Sequence, residues 1–194
     1  MRLIDRFIPQ PDVCDEHHID IHAPAHLVLD LATKMDLQAL PVVHALIWIR
    51  GKVMGAHDAP RKATALLDEL TSLGWQVLAS VDSGIYVLGV VARPWTADVG
   101  FQGVPADRFA AFHEPDVVKI VVTLEAEPTG SETTRFTTET RVKATDAGAL
   151  RKFRRYWRRA APGIVLIRLA MLRALKHDAE RIWRNPLPEH ATVS

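Results

Sequence analysis

The C-terminal part of the chain constrains the fold more than any other stretch. Leu150, Phe153, Trp157, Ala160, Ile164, Ile167, Met171, Leu175, Ala179 and Ile182 recur every three or four positions. That spacing puts them on one side of an α-helix, and Asp146 stands where an N-cap would open it. A helix of this length carries an apolar stripe roughly 50 Å long. A curved sheet folded around the helix would bury it. Pro162 and Gly163 interrupt the segment. An internal proline removes a hydrogen bond and clashes with the preceding turn, at about 3 kcal/mol or more, so a kink or break is expected there and not a straight rod. Because the stripe continues past Pro162, both halves are expected on the same sheet.

The strands to build that sheet are legible. In 118–127, Val118, Ile120, Val122, Leu124 and Ala126 alternate with Lys119, Thr123, Glu125 and Glu127, the period of two of a half-buried antiparallel strand. "EPTGSE" is its turn. In the returning "RFTTETRVKATD", Phe136, Thr138, Thr140, Val142 and Ala144 share one parity. Phe136 and Val142 point that set inward, which places Glu139 and Arg141 on the outer face and two hydroxyls, of Thr138 and Thr140, among apolar neighbours. "WQVLASVDSGIYVLGVVARPW" reads as a second hairpin. With Asp82 opposite Ile85, Trp75, Val77, Ala79 and Val81 share a face with Tyr86, Leu88, Val90 and Ala92.

Upstream, "EHHIDIHAP" alternates Ile19 and Ile21 with Asp20 and His22, a short strand, and Pro24 opens a helix bearing Leu27, Leu31 and Met35. A second helix restarts after Asp36 with Leu40, Val43, Ile47 and Met54 on one side. A third begins at Pro60, faces Leu66, Leu70 and Leu73 inward and stops at Gly74. "PADRFAAF" is a further short helix. The 194 residues are most simply one domain, spanning 1–185 with a tail at 186–194.

Composition narrows the classes. At 48% hydrophobic and 24% charged residues the chain has a globular profile. Cys14 is the only cysteine, so no internal disulfide forms, and the N-terminal residues lack a secretory pattern; a cytoplasmic location is expected. The apolar windows at 45–49 and 164–170 are broken by His44, Arg50 and Arg168, far short of a membrane span. Charge is segregated: eleven of the 24 Lys and Arg lie between Asp146 and Asn185, against three of the 23 Asp and Glu. Such a basic element suits an anionic membrane surface, nucleic acid or an acidic ligand, and equally a solvated, partly salt-bridged face.

The order of elements resembles the helix-grip fold of the START and Bet v 1-like superfamily, SRPBCC. The blocks "VLGVVARPW", "FAAFHEPDVVKIVVTLEAEP", "FTTETRVKATD" and "FRRYWRRAAPGIVLIRLAML" resemble, in that order, a bacterial set of polyketide cyclase/dehydrase-like SRPBCC proteins without an established reaction. The similarity runs from about Asp5 to Arg181 and departs at Val165 and Leu169, where more polar residues are expected. It implies an α+β helix-grip fold: a curved antiparallel sheet wrapped around a long, proline-kinked C-terminal helix, with a cavity between them. Relatives in the wider superfamily include lipid carriers, hormone receptors, aromatase/cyclases and dioxygenase subunits, so the fold implies no single reaction.

The leading expectation is a protein that binds a hydrophobic or amphipathic, lipid- or polyketide-like small molecule in that cavity. Leu88, Val90, Ile120, Val122 and Trp157 would supply burial, with Trp48, Phe109 and Phe112 nearby, and Thr138 and Thr140 would make polar contacts; an aromatic stripe of this kind is also ordinary core. A second expectation is a cyclase or dehydratase acting by acid/base chemistry. Its candidates are His44, Tyr86, Glu114, Tyr156 and Arg168, although His44 also reads as a satisfied structural histidine. A third is a membrane- or partner-binding module using Arg151, Arg154, Arg155, Arg158 and Arg159. His17, His18, His22 and His26 crowd together in sequence, yet strand and helix would separate them and no metal-ligand pattern accompanies them. No metal, cofactor or nucleic-acid partner is expected. GxSxG, GxGxxG and GxxxxGK are absent from the chain.

Overall fold

The computed structural model describes residues 2–36, 39–40, 65–81 and 84–185. A 3-10 turn (Leu3–Arg6) precedes β1 (Val13–Ile21), α1 (Ala25–Lys34), α2 (Leu66–Ser72), β2 (Gln76–Val81) and β3 (Ile85–Ala92). Then come α3 (Ala106–Phe109), β4 (Val118–Pro128), β5 (Thr134–Ala144) and α4 (Ala147–Arg184). The strands form one antiparallel sheet in the order β1-β5-β4-β3-β2. The expected helix from 37 to 55 and the turn at 82–83 lie outside the described residues, as does the tail.

The inner face of the sheet packs against the long helix. Leu88, Val90, Leu124, Ala126 and Phe136 meet Met171, Leu172, Leu175 and Ala179 of α4, and Val28 and Ala32 of α1. This is the helix-grip arrangement, and the stripe that called for a sheet has found one. α4 is a single 38-residue α-helix with Pro162 inside it; of the kink or break expected at Pro162, the break is not there. Pro162 lies on the exposed side, where the Arg158 carbonyl that loses its donor can be solvated.

Asp146 is the N-cap. Its Oδ1 accepts from the Ala149 amide at 2.8 Å and its Oδ2 from the Asp116 amide at 2.6 Å. The hydrogen bonds from Asp116 and Ala149 hold its carboxyl below the usual carboxylate range. One carboxylate thus starts the helix and ties it to the loop that enters β4. Asp146→Ala is expected to lower stability through loss of the cap, read as a downward shift of the urea midpoint at unchanged slope.

The other face of the sheet departs from expectation. It was read as solvated, with Glu139 and Arg141 pointing out; instead Glu139, Arg141, Lys119 and Thr123 are all buried. The N-terminal segment crosses this face. Ile4, Phe7 and Ile8 pack with Leu78, Val87, Val91, Val104, Val117, Val121 and Phe109 into a second core, where Phe7 meets Phe109 edge-on at 6.2 Å. β3, β4 and β5 are therefore covered on both sides. The buried charges are paired: Glu139 accepts from Arg141 Nε at 2.7 Å and lies 2.9 Å from Arg2, and Arg141 donates to Asp5 at 2.7 Å. Lys119 donates to the Ala110 carbonyl at 2.7 Å.

The β2–β3 register is also shifted from the expected one. Val81, not Asp82, pairs with Ile85, and a bulge between Val77 and Ala79 shifts the pairing by one more residue, to Val77 with Leu88. Leu78 and Ala79 join the outer core, while Val77 and Val81 are exposed. Gly84 enters β3 with φ +118°, and a Cβ there would lie 2.6 Å from the Ala126 carbonyl oxygen, so the tight approach of this turn to β4 requires glycine.

Candidate functional site

The pairing across β1, β5, β4 and β3 lays the inner face out in rows. One row runs Val13, Val142, Ile120, Val90; the next Asp15, Thr140, Val122, Leu88; the third His17, Thr138, Leu124, Tyr86. In the second and third rows the polar side chains fall on β1 and β5, and the apolar ones, with Tyr86, on β4 and β3; the first row is apolar throughout. This face is amphipathic across the strands, a pattern invisible within any single strand.

Arg168 reaches into the polar half from α4. Its Nη1 donates to the Asp15 carbonyl at 3.0 Å and lies 3.0 Å from Asp15 Oδ2, and its Nη2 donates to Thr140 Oγ1. Only 9% of the arginine side chain is exposed. Burial pulls the guanidinium below its ordinary value, and the Asp15 charge opposes that shift. Asp15 Oδ1 lies 3.1 Å from His17 Nε2. A carboxylate only accepts, so Nε2 carries the proton. In the neutral ring Nδ1 is then an acceptor, and no hydrogen-bond partner reaches it among the described residues. The His17 side chain is 24% exposed.

The middle of the face is not sealed. Ile120 and Val122 belong to the central strand, yet they are only partly buried, whereas Leu88, Val90 and Leu124 beside them are fully so. Above them, no residue of α4 from Tyr156 to Ile167 is fully buried.

The expected site residues are divided by this layout. Thr138, Thr140, Ile120, Val122, Tyr86 and Arg168 are brought onto the one inner face. Leu88 and Val90 lie there too but are already consumed in the core. Trp157 stacks on Phe153 at 5.7 Å and Tyr156 tilts against it at 6.1 Å, closing one end of the face beside Ile120, Val118 and Val142. Phe109 and Phe112 are on the opposite side of the sheet, in the outer core. They do not line the inner face, because the N-terminal segment gives the outer face a core of its own. Glu114 is exposed and lines an open groove beside α3 with Asp107, Phe112 and His113, likewise away from the inner face. His44 and Trp48 lie outside the described residues.

Asp15 and His17 were missed as site residues. Their signal was the parity of β1: continuing the Ile19 and Ile21 alternation back by two and four positions puts both on the inner face. Among the described residues, no group of three or more His, Cys, Asp or Glu side chains is placed to hold a metal, and no helix is long and apolar enough to cross a membrane.

No family model matches the chain, and no curated protein matches it in sequence. Solved structures do. The di-domain aromatase/cyclase BexL is 18% identical with a TM-score of 0.40; the match covers 90% of this chain and 48% of that one, so the chain spans about half of BexL. A hypothetical protein from Helicobacter pylori is 11% identical with a TM-score of 0.45, covering 92% of this chain and 95% of that one. The Zhui aromatase/cyclase from a Streptomyces species is 13% identical with a TM-score of 0.33, covering 89% and 96%. At such scores the chemistry has to be argued from the residues of this chain.

Proposed function

We propose that the protein binds a hydrophobic or amphipathic small molecule, lipid- or polyketide-like in character, between the inner face of the sheet and α4. The observation that carries this reading is the pairing of half-buried apolar side chains, Ile120 and Val122, with a buried charged cluster beside them. The apolar body of the ligand lies over Ile120 and Val122, where its burial contributes about 25 cal/mol per Å². Its polar end meets His17. Because Nδ1 is an acceptor, the ligand group that suits it is a donor, a hydroxyl or phenol. Asp15 holds the ring and Arg168 holds Asp15, so the acceptor is oriented before the ligand arrives.

Native mass spectrometry of the purified protein, followed by organic extraction, looks for the ligand directly. Displacement of a fluorescent apolar dye by dodecanol, dodecane and dodecanoate tests the polarity of the site. Dodecanol is expected to bind tightest. His17→Ala should remove about tenfold of its affinity, the worth of one hydrogen bond, and leave dodecane unchanged. Equal binding of all three probes, or none, would sink the reading.

The Asp15–His17 contact also favours a second reading, an enzyme of the cyclase or dehydratase kind. An imidazole with a carboxylate on one nitrogen and an open acceptor on the other is the arrangement of a general base. Turnover of a hydroxyl- or carbonyl-bearing substrate would then follow a pH profile that His17→Ala abolishes.

A further inference from the structure

The first half of α4 gathers like charges on one face. Arg151, Arg154, Arg155, Arg158 and Arg159 are all exposed, and among the described residues none has a carboxylate within ion-pair distance, whereas Lys152, Lys176, Arg181 and Arg184 of the same helix are each paired. Arginines three and four apart on a helix repel. From Ala147 to His177 the helix contains no acid at all, although a glutamate at any of these exposed positions would relieve the repulsion. Repulsion that no ion pair among the described residues offsets marks a surface kept for something outside the protein.

The same flank carries apolar groups. Continuing it by helical spacing leads through Pro162 to Leu166, which is 48% exposed and the most exposed large hydrophobic residue in the described chain. Trp157 is half-buried at the border of the stripe. Guanidinium groups pair with phosphate and carboxylate in a fork geometry. A row of them followed by an exposed leucine fits a layer with anionic headgroups above and hydrocarbon below.

We infer that this face of α4 docks the protein on an anionic membrane surface. Nucleic acid offers the same phosphates but nothing for Leu166 to enter. The test is cosedimentation of the full chain with vesicles of phosphatidylcholine alone and of phosphatidylcholine with phosphatidylserine, at low and physiological salt. Wild type is expected to pellet with the mixed vesicles only, and less as salt rises. Reversing three charges, in R154E/R155E/R158E, should weaken that binding by about 100-fold or more, and Leu166→Glu by less. The triple variant should melt no lower than wild type, because the substitutions relieve repulsion, and it should keep its preference for dodecanol. Absence of pelleting with the mixed vesicles, or binding by the triple variant equal to wild type, overturns the inference. So does tighter binding to a duplex oligonucleotide than to the mixed vesicles.

Discussion

Glu139→Ala is expected to lower stability by about 3–5 kcal/mol, the cost of leaving a buried charge without its partner. Glu139 is 1% exposed and is held from three sides: Arg141 at 2.7 Å, Arg2 at 2.9 Å and the Cys14 thiol at 3.2 Å. Its removal leaves the Arg141 guanidinium under the N-terminal segment with Asp5 as its remaining carboxylate. Arg2 meanwhile loses the buried one of its three carboxylates, keeping Glu16 at 3.0 Å and Glu125 at 3.9 Å. The clasp that holds Ile4, Phe7 and Ile8 on the outer face should loosen with it. Urea unfolding measures the loss, and faster amide exchange at Ile4 and Ile8 would show where it falls. A shift below about 1 kcal/mol would mean that the N-terminal segment is not held by this ion pair.

The same clasp is acid-sensitive. The hydrogen bond from Arg141 holds the Asp5 carboxyl below its ordinary value. A depressed carboxyl contributes stability that is fully present above its unfolded value, about 4. That contribution is lost as pH falls through the folded value. Asp5→Asn should therefore destabilise at neutral pH and shallow the decline of stability towards pH 3.

Arg168→Met should cost about 3 kcal/mol, because it leaves the partly buried Asp15 carboxylate with no cation beside it. The double variant Asp15→Leu with Arg168→Met should recover most of that loss, since a well-packed apolar pair is often as stable as a buried ion pair. Recovery of stability without recovery of dodecanol preference is the expected outcome, because His17 would have lost the carboxylate that orients it. If the double variant kept the preference, His17 would not owe its orientation to Asp15, and the proposed polar end of the site would be wrong.

Much of the architecture was legible because periodicity is a local property. The alternation in β4 and β5, the stripe on α4 and the cap at Asp146 each follow from neighbours a few residues apart, and each stands where it was expected. Arg168 was legible as an anomaly, a charge inside an apolar run. Asp15 and His17 were not recognised, although the parity of β1 carried them, since a strand that alternates charge with charge does not announce which side is inner.

The outer face was misread for a different reason. A polar residue opposite an apolar one predicts solvent only if nothing covers it, and what covers Glu139 lies more than a hundred residues earlier in the chain, at Arg2 to Ile8. Pro162 likewise breaks a helix by local rules, and here sits where solvent tolerates it. The chain by itself determined its strands, its closing helix and the sidedness of β4, β5 and α4, because these depend on the repeat of side chains along one element. Only the tertiary structure decided which polar residues are buried and which of them meet. Strand order sets Asp15 beside Thr140 and brings Arg168 down on both, and contacts between residues so far apart in the chain leave no periodic trace in it.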